Sequence, residues 1–68
     1  MTLDQFRIDC GWSQNEMARQ AHLDPGTVGK ALRGETVSIA SADKLATAIS
    51  AKLGRTIRIR DIEGLNFK

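Results

Sequence analysis

The chain has 68 residues, 41% hydrophobic, 26% charged and only 4% aromatic, and ten Lys/Arg against eight Asp/Glu leave a net charge of +2. A chain of this length buries only about 60% of the surface its unfolded form exposes, which excludes a two-domain enzyme or a doubly wound nucleotide-binding fold. Low aromatic content argues against a small sandwich or barrel, and abundant alanine favours helix packing, so one all-α domain of four to five short helices over 1–68 is expected.

Thr2 can cap a first helix running to Cys10, with Gln5 at the spacing of a capping box. Leu3, Phe6 and Cys10 then share one apolar face, and Gly11 supplies a left-handed terminus. A second helix is predicted over Ser13 to Ala21. Ser13 and Glu16 have capping-box spacing, Trp12 and Met17 that of a hydrophobic staple, and Met17, Ala18 and Ala21 form the inner stripe. Asp24 followed by Pro25 opens a third helix, with Val28, Ala31 and Leu32 inward and Gly34 as its stop. Only His22 and Leu23 separate the second and third helices, so the two must cross, with Leu23 plugging the crossing.

The longest helix is predicted from about Ser38 to Leu53, where Ile39, Ala42, Leu45, Ala46, Ile49 and Leu53 keep a 3.6-residue period. Lys52 suits its negative end and Gly54 ends it. Thr56 to Arg60 alternates like a strand, and Asp61 to Leu65 reads as a helical turn. An extended stretch leading into one turn over about Ile59 to Gly64 is expected. The predicted core is Leu3, Phe6, Met17, Ala18, Leu23, Val28, Leu32, Ile39, Leu45, Ala46, Ile49 and Ile62.

Two capped helices joined by a short turn, with Ala18, Leu23, Val28 and Leu32 inward, make a helix-turn-helix. The run Gly11-Trp12-Ser13-Gln14-Asn15-Glu16-Met17-Ala18 resembles the opening of the phage Cro-repressor (XRE-type) family of helix-turn-helix DNA-binding regulators. The likeness continues through Leu23, Val28 and Arg33-Gly34 to Leu45-Ala46-Thr47-Ala48-Ile49, over roughly residues 3 to 54. It implies a lambda-repressor-like bundle whose third helix lies in the DNA major groove. Pro25, Gly26, Thr27 and Lys30 would then face base edges, with Lys30 donating to guanine and the Thr27 methyl meeting a thymine methyl. Gln14 would contact a phosphate, helped by Ser13 and the adjacent amides, while Arg33, Thr36 and Ser38 would add further backbone contacts.

The chain departs from that family at three places. His22 stands where the turn usually has glycine, so a histidine must accept that geometry, at positive φ. Leu32 replaces a glutamate that commonly pairs with the first-helix arginine, so Arg7 loses its usual partner. Pro25 and Gly26 replace long polar side chains, which favours shape readout or contacts from outside the helix over direct readout.

Trp12 is a staple or core residue, His22 a turn residue, and Cys10 a small core residue that can make neither a disulfide nor a zinc site, as suits a reducing cytoplasm. Arg55, Arg58 and Arg60 serve equally as a phosphate patch or as a charged outer face. No signal peptide, apolar membrane span, triad, metal set or phosphate loop is present, so no enzyme activity, cofactor or small-molecule effector is expected.

The resemblance implies a repressor-like regulator of phage, plasmid or mobile-element type, binding double-stranded DNA as a homodimer on a pseudo-palindrome. Ile57, Ile59, Leu65 and Phe67 are too apolar for a free tail and either cap the core or form the dimer seam. Two alternatives stay open: a protein-interaction module such as an antitoxin, using the segment from Ile57 to Phe67, and a DNA-bending recombination factor using Arg55, Arg58 and Arg60 on phosphates.

Overall fold

A computed structural model describes residues 1–68, and its four helices follow from local chemistry. Helix α1 spans Leu3–Cys10, α2 Gln14–Ala21, α3 Pro25–Leu32 and α4 Ile39–Leu53, followed by a single 3₁₀ turn at Ile59–Asp61. Each helix starts at a residue whose side-chain oxygen accepts the amide three positions on. Thr2 takes Gln5, Ser13 takes Glu16, Asp24 takes Thr27 and Ser38 takes Ser41, over 3.0–3.2 Å. Such a cap contributes about 1 kcal/mol, which matters for helices of only eight residues.

The capping box at Thr2 is complete, because the Gln5 side chain accepts the Thr2 amide at 2.8 Å. The expected box at Ser13 is only half formed. The Glu16 carboxylate turns outward to Arg19 at 2.7 Å and Gln20 at 3.2 Å, since a charge-assisted pair one turn away outcompetes a neutral amide.

Helix α2 packs against α3 and α4, and α1 against α4 and α3, so α1 and α2 together bridge α3 and α4. Met17, Val28, Leu45 and Ile49 are fully enclosed, one set from each of three helices. Leu3, Phe6, Cys10 and Trp12 close the α1 side. Trp12 and Met17 are both buried, as a staple between them requires. Leu23 and Leu32 lie only half-buried against this core.

Ile39 corrects the predicted core, because it is 53% exposed. It shares the angular stripe of Ala42 and Ala46, but it is the first residue of α4, at the end of the helix. Eight residues outside the predicted list are buried with the rest: Cys10, Trp12, Ala21, Ala31, Val37, Ala42, Ile57 and Leu65.

After α4 the chain folds back as an irregular strap rather than a strand. The Ser50 hydroxyl ties its start, accepting the Ile57 amide at 2.8 Å. The strap then makes two isolated parallel bridges, Thr2 with Glu63 and Val37 with Phe67. The first helical turn expected to reach Gly64 is shorter, ending at Asp61, and Gly64 instead turns the chain at a φ of 75°. Ile57 and Leu65, expected at a dimer seam, are buried within the single chain, while Ile59 and Phe67 are half-buried. The cause is geometric: the return path packs its 3₁₀ turn against α4 and pairs Phe67 with Val37 in the loop before that helix.

Candidate nucleic-acid interface

The candidate site grows from the crossing of α2 and α3. His22 ends α2 in the left-handed region at φ 57° and ψ 42°, the conformation that lets a two-residue turn redirect the chain. It is the one non-glycine residue with positive φ. Its neighbour closes the helix end, the Leu23 amide donating to the Ala18 carbonyl at 2.8 Å.

Helix α3 then presents two unlike sides. Val28, Gly29 and Ala31 are buried inward, while Pro25, Gly26 and Lys30 are exposed outward. Gly29 is where the Gln14 side chain of α2 lies over α3. A methyl group there would come 3.0 Å from Gln14 Nε2 and 3.2 Å from the Arg33 guanidinium. Gln14, the first residue of α2, reaches across this gap and donates from Nε2 to the Pro25 carbonyl at 3.2 Å. The starts of both helices are therefore brought to one edge by a glycine that leaves room for a glutamine.

Asp24 organises that edge. Its Oδ1 accepts the Thr27 amide at 3.2 Å and the Thr27 hydroxyl in a still shorter bond. Those bonds, the hydroxyl first, hold the Asp24 carboxyl below the usual carboxylate range, with Lys30 assisting. Thr27 is half-buried and its hydroxyl is committed, so its methyl is the free part. Lys30 makes no ion pair, nor do Arg55, Arg58 and Arg60. Arg33 is held by Glu35 at 2.6 Å, both side chains exposed. Sequence reading missed that pairing, although an acid two residues on in a loop was the available signal.

The loop from Gly34 to Ser38 completes the edge. Thr36 and Ser38 are exposed and flank buried Val37. Ser13 and Ser38 are exposed too, with their hydroxyl oxygens occupied by the amides they cap. All nine predicted contact residues thus lie on the α2 start, α3 or the loop after it; only Thr27 among them is not exposed. Asn66, not among them, reaches this loop, with its side-chain amide donating to the Gly34 carbonyl at 2.6 Å.

Arg7, expected to lose its usual partner, has two others. It pairs with Asp4 at 2.9 Å and donates to the Trp12 carbonyl at 2.8 Å, so the end of α1 stays tied to the start of α2 without a glutamate at Leu32.

No cluster of three or more His, Cys, Asp or Glu side chains could hold a metal ion, and no helix is long and apolar enough to cross a membrane. A family model described as helix-turn-helix, of the XRE type, matches residues 3–56, which is most of the chain. No curated protein and no solved structure matches it.

Proposed function

The chain belongs to the XRE-type helix-turn-helix family of DNA-binding transcriptional regulators, and from that premise we propose a small repressor-like regulator of a phage, plasmid or other mobile element. It binds double-stranded DNA in the cytoplasm, sequence-specifically, as a homodimer on a pseudo-palindromic operator. The observation that carries this reading is the two-sided character of α3. Its Val28 side is fully enclosed, while Pro25, Gly26 and Lys30 face solvent with no other part of the chain over them. A major groove about 12 Å wide admits such a helix.

In this reading Lys30 donates to guanine and the Thr27 methyl meets thymine, because these are the only side chains on the outer face able to read a base. Pro25 and Gly26 let the helix sit close and leave much of the discrimination to DNA shape. Gln14, Ser13, Arg33, Thr36 and Ser38 fix the register on phosphates. Arg33 must exchange Glu35 for a phosphate to do so. The family is one of regulators rather than enzymes, and no cofactor or effector enters the proposal.

The molecule measures 26 Å in its longest direction. Two copies side by side can therefore set their α3 helices about 34 Å apart, one turn of DNA. Ile59 and Phe67 remain as the half-exposed part of the seam. Since Ile57 and Leu65 are consumed by the chain's own core, the segment has little left for an antitoxin-type partner, which favours DNA over the protein-interaction reading.

The test is selection of duplexes from a random pool at about 100 mM salt, a concentration that suppresses weak phosphate binding. An enriched two-fold motif is expected. Lys30→Ala should then relax preference at one base position by about 1–3 kcal/mol, whereas a phosphate role would weaken all sequences alike. Enrichment of nothing at micromolar protein overturns the proposal.

A further inference from the structure

The loop between α3 and α4 owes its shape to a segment distant in sequence. The Val37 amide donates to the Asn66 carbonyl at 2.9 Å, and the Lys68 amide donates to the Val37 carbonyl at 3.1 Å. The Ile39 amide donates to the Lys68 carbonyl at 3.2 Å. The Asn66 side chain completes the clasp on Gly34, 32 residues away, at 2.6 Å. Gly34 itself sits at φ 81°, and its carbonyl would otherwise face water.

This pairing has a directional consequence. In extended backbone the N–H and C=O of one residue point to the same side, and those of its neighbours to the opposite side. Val37 spends both groups on the strap. The Thr36 and Ser38 amides must therefore point away from it, and neither donates to any group of the protein. Both residues are exposed on the edge assigned to phosphates.

We infer that Asn66 is a positioning residue: it clasps the Gly34–Val37 loop so that the Thr36 and Ser38 amides are held outward, ready for a DNA phosphate. The inference rests on the DNA-binding reading above. Its physical basis is preorganisation. A loop already ordered before binding avoids the ordering cost of association. The strap also carries Glu63, whose amide donates to the Met1 carbonyl at 2.9 Å, so the clasp is anchored at its other end on the start of α1.

The experiment compares the full chain with Asn66→Ala. Asn66 is exposed, so the variant should fold, with a thermal midpoint close to wild type. By NMR, exchange of the Val37 amide should quicken while amides in the centre of α4 keep their protection. Binding to the selected duplex should weaken about fivefold, the equivalent of one neutral hydrogen bond. The loss should be equal on all sequences, because phosphate contacts carry no base information. The slope of affinity against salt should not change, because no cation has been moved.

Wild-type affinity in the variant, or unchanged Val37 exchange, overturns the role of Asn66 while leaving the DNA-binding reading standing. Loss at a single base position also overturns it, since Asn66 would then be acting on α3. If wild-type protein binds no duplex, the functional reading fails first and the positioning role falls with it.

Discussion

Replacing Gly29 by alanine separates what the α2–α3 crossing does for folding from what it does for binding. Gly29 is buried inside α3, and an added methyl would meet Gln14 Nε2 at 3.0 Å and Arg33 Nη1 at 3.2 Å. Both are the far ends of flexible, exposed side chains, so they can withdraw by a few tenths of an ångström or more. Alanine gains about 1 kcal/mol over glycine in a helix interior. Against this stands the exposed Gln14–Pro25 bond, worth at most about 1 kcal/mol. Any loosening of the Arg33–Glu35 surface pair costs about 0–1 kcal/mol. Burying one methyl returns up to ~0.8 kcal/mol. Urea denaturation, followed by the fluorescence of buried Trp12, should therefore show stability unchanged or raised by roughly 0.5 kcal/mol. Fluorescence anisotropy with a labelled operator should show the opposite trend. Gln14 and Arg33 are pushed from their stations, so affinity should fall about three- to tenfold, evenly across sequences, as lost phosphate contacts require. A loss of stability above about 1.5 kcal/mol would mean that the two side chains cannot yield. Unchanged affinity would remove both from the DNA edge.

Other consequences follow from single residues. His22→Gly should raise stability by about 0.5–1 kcal/mol, because the left-handed conformation costs a side-chain-bearing residue more than glycine; an unchanged urea midpoint would mean that His22 carries no strain. Asp24 is held ionised by Thr27, so its folded pKa lies below the unfolded one. Its contribution to α3 is complete above the ordinary carboxylate range and is lost only as pH falls through the lowered folded value, which a carboxyl-detected NMR titration against pH will read. Asp24→Asn keeps an effective cap while removing a negative charge from the DNA edge, so affinity should rise about two- to fivefold at low salt and less at high salt. Burial pushes the Cys10 thiol up, only partly offset by Lys52, so a thiol reagent at pH 8 should label folded protein far more slowly than protein in denaturant; equal rates would contradict the packing of α1.

How the chain reads in advance depends on the range of the interaction. The N-caps at Thr2, Ser13 and Asp24 were legible because a cap joins residues three apart, and the same short range made Pro25 and Gly54 readable as helix limits; Ser38 was read only as the approximate start of α4, which it caps. The positive φ of His22 followed from the family resemblance, in which that turn position is usually glycine. The outer face of α3 could be placed by its period alone, which put Lys30 opposite Val28.

What escaped depends on which parts of the chain meet in space. Helical period marks an angle around an axis, not how far the neighbours extend along it, so Ile39 carried the right angle and still ended beyond the core. Val37 and Leu65 gave only a weak period-two signal, Thr36-Val37-Ser38 and Leu65-Asn66-Phe67, which no local rule can pair. Ile57 and Leu65 could equally have faced a second chain until the strap folded them inward. Arg7 found Asp4 and the Trp12 carbonyl because the turn after α1 brings that carbonyl back beneath its guanidinium. Local chemistry thus determined the helices, their ends and the sidedness of α3. Tertiary packing alone decided the strap, the clasp of Asn66 on Gly34 and the outward set of the loop amides, because their partners lie about thirty to sixty residues apart and no local preference selects them over water.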